Sequence, residues 1–293
     1  LAVLAWQWLS QGDEIQQAKG ALASLVLLLT LAIMALAAWG VWRLWRRRIP
    51  QVQGIRRPQP RALAGKSFAL LLPLCGVACA LLLAAAAQNS QPVSDSVGNS
   101  LWLGLCSASL GAVICLLWLA SGPSRFDGWI WLPLILPALP LVDGQYQLAL
   151  YTWLDGEWVA VLWGHLLWVV PWMLFILRPA WRARDPRMEL LARTLGWQRG
   201  RIFWLVTLPA LTRPLLTALA VGFSVSIAQY LPTLWLGGGR FPTLTSEAVA
   251  LSSGGETSTL AAQALWQLLL PALFFAATAL LAWLTGRYRQ GLR

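Results

Sequence analysis

Continuous apolar runs, each long enough to cross a bilayer as a helix, constrain this chain more than any other feature. They lie near residues 21–44, 67–88, 100–121, 128–150, 158–178, 211–236 and 262–285. A helical span needs roughly 20 apolar residues, because the hydrocarbon core is about 30 Å thick and a helix rises about 1.5 Å per residue. The runs therefore predict an all-α, polytopic transmembrane helical bundle of about seven spans. They are continuous and do not alternate, which excludes an outer-membrane barrel. With 58% apolar and 11% charged residues, the chain lacks the polar surface of a soluble domain and is far too hydrophobic for a disordered one.

The formal charge of +11 raises nucleic acid as a partner, and the placement of the charges decides against it. Twenty of the 22 Lys and Arg residues fall in alternate connections: eight from Arg43 to Lys66, Arg125, eight from Arg178 to Arg213, and three from Arg287 to Arg293. Lys19 and Arg240 are the exceptions. Membrane proteins keep their basic loops in the cytoplasm. This asymmetry predicts a multi-pass membrane protein with a cytoplasmic C-terminus and with residues 89–99, 151–157 and 237–261 facing outward. The fourth run carries Pro133, Pro137 and Pro140 and is interrupted by Asp143 and Gln145, so a kinked or broken helix is expected there.

Few residues offer chemistry. Cys75, Cys79, Cys106 and Cys115 sit inside apolar runs without His or carboxylate neighbours, which favours buried packing over a metal or redox site. His165, the single histidine, is expected to pack between helices, with a pore-lining role as the alternative; alone it makes neither a metal site nor a catalytic triad. Gly65, Lys66 and Ser67 spell the end of a phosphate-binding loop, but Pro60 occupies the position of its first glycine, so no nucleotide site is expected. No catalytic residue, metal or cofactor is expected. Tryptophans such as Trp102, Trp129, Trp153 and Trp158 lie near predicted span ends and read as interfacial anchors.

Residues 49–66, with Pro50, Pro58, Pro60, Arg56, Arg57 and Arg61, read as a cytoplasmic linker separating one helix from six. Leu9, Ser10, Gly12 and Glu14 match Leu251, Ser252, Gly254 and Glu256 at an offset of 242, and Ala38, Trp39 and Arg43 match Ala282, Trp283 and Arg287 at an offset of 244. The first helix therefore looks like a copy of the last. Residues 1–48 are expected to close a preceding repeat, and 67–293 to form one whole six-helix unit. The chain begins Leu-Ala-Val, with neither Met nor a signal-peptide pattern, so more sequence is expected upstream.

The long basic connection, residues 179–210, is the most informative segment. Asp185 suits the cap of a helix with Pro186 at its first position; Met188, Leu191 and Leu195 form one apolar stripe; and Gly196 suits a left-handed terminus. Ile202, Phe203 and Val206 continue an apolar face toward Pro209. A short amphipathic helix of this kind suits a groove on a partner protein.

This segment resembles the cytoplasmic signature of the inner-membrane permease subunits of binding-protein-dependent ABC importers. That signature runs Glu-Glu-Ala-Ala, three residues ending in Leu-Gly, and a Leu-Pro pair whose proline follows the glycine by thirteen residues. Glu189 matches the first acidic position, Ala192 the second alanine, Leu195 and Gly196 the Leu-Gly, Phe203 the mid-loop aromatic, and Leu208 and Pro209 the Leu-Pro. Asp185 and Pro186 match the Asp-Pro that often precedes the signature. Leu190 and Leu191 depart from it, replacing the second acidic residue and the first alanine, so the docking helix is expected to be greasier than usual. The resemblance, from about Ser67 onward, implies a type I importer permease fold, coupling of this loop to cytoplasmic ABC ATPase subunits, and substrate delivery by a periplasmic or extracellular solute-binding protein. With the repeat, it is similar to the fused subgroup in which one polypeptide supplies both permease halves, a subgroup that includes importers of thiamine, ferric iron and related charged solutes.

Gly222, Ser226, Gln229 and Thr233 follow i, i+4, i+7, i+11 along the sixth run, a polar stripe suited to line a substrate route. Close packing through small residues is the alternative, strongest for Gly222 and Ser226. Asp143 and Gln145 join the candidate pathway, Asp143 because a carboxylate inside a membrane is costly unless it is used. An ion-coupled secondary transporter would demand paired intramembrane ionisable groups, and a membrane enzyme would demand convergent polar ones. The runs supply almost none of either.

Overall fold

The computed structural model describes residues 14–46, 63–122, 128–254 and 256–287; the expected outer segment 1–13 and nearly all of the linker lie outside the described residues. Every regular element described is helical. Contacts group the chain into two compact units, one of Leu1–Leu82 with Ile135–Asp143 and one of Leu83–Leu134 with Gly144–Arg293.

The first unit holds helix α1 (Glu14–Arg46) and most of α2 (Leu63–Ala86). α1 exposes Leu22, Leu25, Leu29, Ile33 and Leu36, as a helix solvated by lipid does. Cys75 and Cys79 are also exposed on α2, correcting the expectation that all four cysteines are buried. Cys115 is buried and Cys106 half-buried.

α3 (Ser94–Ser121) follows in the second unit; a 3₁₀ turn, Trp129–Trp131, then leads into α4 (Leu132–Ile135), and α5 (Ala138–Tyr151) begins after a break, with Ile135 and the start of α5 up to Asp143 grouped in the first unit. The fourth run is thus broken, as its prolines demand. α6 (Trp158–Arg182) is unbroken and leads to α7 (Pro186–Thr194) and α8 (Arg199–Ile202). A π-helical turn, Phe203–Thr207, and α9 (Leu208–Ala210) precede α10 (Thr212–Ile227). α11 (Leu231–Gly237), α12 (Leu244–Ser252) and α13 (Thr257–Arg287) complete the chain.

Helices α3, α6 and α10 pack on one another, and α13 packs on α10 and α12. The central core joins Cys115 of α3, Val169, Met173, Leu174 and Leu177 of α6, and Ala218 of α10. Close approach relies on glycine: a Cβ on Gly222 would sit 2.7 Å from the Met173 sulfur, and one on Gly164 would sit 2.5 Å from Leu236 Cδ1. Lipid supplies no hydrophobic drive to bring apolar helices together, so backbone proximity and dispersion must hold them. At the opposite end from the basic loop, Ser96 Oγ donates to Gln263 Oε1 at 2.9 Å and Leu244 N donates to Ser100 Oγ at 2.8 Å, tying α3 to α12 and α13.

Seven unbroken crossings are not found among the described residues. Among the described residues, four helices are long and apolar enough to span: Ala18–Val41, Ser94–Ser121, Trp158–Arg182 and Thr257–Thr285. A fifth arises if Arg199–Ala210 and Thr212–Ile227, bent by 74°, count as one. The missing crossings have local causes. The fourth run is split into short pieces and the sixth stops at Ile227 and resumes at Leu231, whereas α2 runs for 24 residues from Leu63 to Ala86.

Candidate functional site

The basic connection is organised by contacts near in sequence. Asp185 caps α7 by accepting from Arg187 N at 2.9 Å, with Pro186 at the first helical position. α7 ends in paired turns in which Trp197 N donates to Ala192 O and Gly196 N to Arg193 O. Gly196 adopts φ +77° there. This is the Schellman arrangement, which satisfies the last carbonyls and puts a left-handed residue beyond the helix end.

The two faces of α7 differ sharply. Met188, Leu190, Leu191 and Leu195 are 57%, 58%, 59% and 72% exposed, so the expected stripe points away from the protein. Ala192 is buried and faces inward. Glu189 also turns inward: Arg184 Nη1 donates to its Oε1 at 2.6 Å, and Thr207 Oγ1 donates to the same oxygen at 3.2 Å. Arg184 is fixed in turn by its Nε donating to Trp181 O at 3.0 Å and by a guanidinium 3.6 Å above the Trp181 ring. Glu189 therefore pins the loop to the ends of α6 and the π-helical turn, while its leucine neighbours stand free. Ile202 is buried, and Phe203, Leu208 and Pro209 are half-buried. Phe203 meets Trp204 edge to face at 5.7 Å.

Arg184, Trp181 and Thr207 belong to no motif in the sequence. Arg184 stands five residues before Glu189, a spacing from which the pair could be suspected. Thr207 lies 18 residues beyond Glu189, and no local pattern links them.

The polar stripe of the sixth run is rearranged. α10 ends at Ile227 and α11 starts at Leu231, so the i, i+4, i+7, i+11 sequence does not run along one helix. Gly222 packs against Met173 and Val169 of α6. Ser226 and Thr233, both buried, meet the buried His165: Nδ1 lies 2.8 Å from Ser226 Oγ and Nε2 lies 2.9 Å from Thr233 Oγ1. Thr233 Oγ1 also donates to Gln229 O at 2.9 Å. His165 thus bridges both pieces of the broken segment, which places it in packing. Gln229 is half-buried between them.

On α5, Asp143 is half-buried and Gln145 buried, with neither amide atom of Gln145 hydrogen-bonded. They fall in different units. One residue on, Tyr146 meets Trp235 of α11 edge to face at 5.9 Å. Among the described residues, no three His, Cys, Asp or Glu side chains group to hold a metal ion.

Comparison with known proteins matches residues 67–289 to the family described as binding-protein-dependent transport system inner membrane component. Over all 293 residues the chain is 59% identical to the inner membrane ABC transporter permease protein YnjC of Escherichia coli K12, and spans 57% of that protein's length. It is 28% identical over 162 residues to the molybdenum transport system permease protein ModB of Haemophilus influenzae, covering 48% of this chain and 67% of that one. It is 27% identical over 128 residues to ModB of Escherichia coli K12, covering 39% and 55%. The family match takes in the whole basic loop and its flanking helices, so this chain belongs to the binding-protein-dependent transport system inner membrane component family, the permeases of ABC importers.

Proposed function

We propose that the chain forms part of the translocation pathway of an importer and is driven through residues 179–210 by a separate cytoplasmic ABC ATPase. The outward stripe of Met188, Leu191 and Leu195, with Leu190 beside it, carries this reading, because a rigidly pinned helix has no reason to leave four large apolar side chains exposed unless a partner covers them. In this reading Leu190 supplies apolar area where an acidic contact is usual. Asp185 and Gly196 set the two ends of the docking helix, Ala192 and Glu189 hold its inner face, and Phe203, Leu208 and Pro209 join it to α10. The basic loop and the C-terminus lie in the cytoplasm of a multi-pass inner-membrane protein, and a solute-binding protein delivers substrate to the opposite face.

A preceding permease half, fused or separate, completes the pathway. The sequence matches of Leu9, Ser10, Gly12 and Glu14 to Leu251, Ser252, Gly254 and Glu256, and of Ala38, Trp39 and Arg43 to Ala282, Trp283 and Arg287, support a repeat. Residues 1–48 then close the preceding half, 49–66 link, and 67–293 form the second. Asp143, Gln145 and Gln229 are the side chains assigned to the pathway, whereas Gly222, Ser226 and Thr233 are assigned to helix packing. The cargo is a small charged solute. Thiamine and ferric iron come from the sequence resemblance alone, whereas the ModB relatives are named for molybdenum, which makes molybdate the first solute to assay.

Purification from membranes in mild detergent, with co-purifying proteins identified by mass spectrometry, tests the coupling. The native chain is expected to retain an ABC ATPase, and Gly196→Leu to lose it. A side chain there meets no atom within 4 Å but must adopt φ +77°, a strain of about 1–2 kcal/mol that a frayed helix end relieves. Equal retention by both chains would remove the loop from the coupling.

A further inference from the structure

We propose that the end of α3 and the basic loop together form a binding site for one acidic phospholipid, with its phosphate on Arg193 and Arg199 and an acyl chain along α3. A cleft of about 830 Å³ opens between these elements. A water occupies about 30 Å³, so the cleft is far too large for a bare inorganic anion. One wall is wholly apolar and made by Val113, Leu116, Leu117 and Ala120. Their i, i+3, i+4, i+7 spacing puts them on one face of α3, over about 10 Å of its length. They occupy the closing turns of the membrane-spanning helix Ser94–Ser121, and Val113 and Leu117 are 52% and 66% exposed. This wall is solvated by lipid tails.

The rest of the cleft sets arginines among Trp181, Ile202, Phe203 and Trp204. Arg193 and Arg199 line it, both exposed, and neither is paired with a carboxylate among the described residues. The one carboxylate in the cleft, Glu189, is already neutralised by Arg184 at 2.6 Å. An occupant is therefore asked for negative charge at one end and a long apolar body at the other, at the depth where a membrane span meets a basic loop. A lipid headgroup phosphate matches the guanidinium forks, and its acyl chain matches the α3 wall. A soluble anion would leave the apolar wall uncovered, and a zwitterionic lipid would bring its own cation against the arginines. The site is separate from the outward stripe of α7, so it does not depend on the ATPase reading. It lies against Thr207 and Phe203, and an occupied cleft would brace the same π-helical turn that Glu189 pins.

Native mass spectrometry of the full chain, offered equal amounts of phosphatidylglycerol and phosphatidylcholine, reads the site directly. One phosphatidylglycerol per chain is expected to survive activation in preference to phosphatidylcholine. Arg193→Gln with Arg199→Gln is expected to reduce that preference about thirtyfold, and Arg193→Lys with Arg199→Lys to keep most of it. Inorganic phosphate in excess is expected not to displace the lipid. Equal retention of both lipids, an unchanged preference in the glutamine variant, or displacement by inorganic phosphate would each overturn the proposal. If the glutamine variant does not fold, lipid preference and phosphate competition on the native chain decide alone.

Discussion

The basic loop and the break in the sixth run solve opposite problems with the same kind of contact. In the loop, a half-buried charged pair at the base lets a helix hold apolar side chains in the open: Glu189 and Arg184 are 28% and 17% exposed, while Leu195 is 72% exposed. In the break, the imidazole of His165 lets polar side chains hide within the helix bundle, with Ser226 and Thr233 each 2% exposed. Polar contacts are fasteners in both. In the loop they fix an exposed surface, and in the break they satisfy groups that an interrupted helix would otherwise strand in the bilayer. The comparison implies that the loop gives up a hydrophobic contribution to its own stability, whereas the break gives up regular backbone pairing.

The sharpest way to break this contrast is at the stripe. Leu191→Asp with Leu195→Asp removes two apolar anchors at about 1.5–3 kcal/mol each if they are buried by a partner, so ATPase retention is expected to fall at least about a hundredfold. The unfolding free energy of the chain alone is expected to hold within about 0.5 kcal/mol, because exposed side chains add little to it. A matching loss of stability would mean that the stripe packs on its own chain. Next in size is His165→Leu, expected to destabilise by about 1–2 kcal/mol, the upper range for hydrogen bonds between membrane helices. Adding Ser226→Ala to that variant is expected to cost little more than His165→Leu alone. Full additivity in thermal unfolding would mean the two residues do not act together. Glu189→Gln keeps an acceptor for Thr207 and drops the charge, so a loss of about 0.5–1 kcal/mol is expected. Faster amide exchange in residues 186–194 would register it, and unchanged exchange would show that the pair does not hold the loop.

Legibility in the sequence follows range. Asp185, Pro186 and Gly196 act within a few residues of themselves, so α7 and both its ends are readable from the residues alone. The broken fourth run is readable for the same reason, since Pro133, Pro137 and Pro140 act on their own turns. The break in the sixth run carries a local signal as well: Pro232 lacks an N–H, which suits the first turn of a new helix and not the interior of a continuing one. Hydropathy alone overrides that signal, because an apolar run with a proline near its end still looks like one span, and the stripe expected along it is lost at the break. His165 cannot be matched from the sequence to Ser226 and Thr233, which lie 61 and 68 residues away.

By itself the sequence determined that the chain is a helical membrane protein, that its arginines gather in alternate connections, and that one such connection carries a capped amphipathic helix. Each of these follows from composition or from contacts within a turn or two, where the covalent chain already brings the residues together. Tertiary structure decided which runs remain unbroken helices, which way Glu189 turns, and whether a hydroxyl such as that of Ser226 or Thr233 is a fastener or faces a solute. Those outcomes depend on what packs opposite. A buried hydroxyl in an apolar helix is stable only against a partner, and the partner is chosen by the way α6 and α10 close on glycine, not by the spacing of residues along either one.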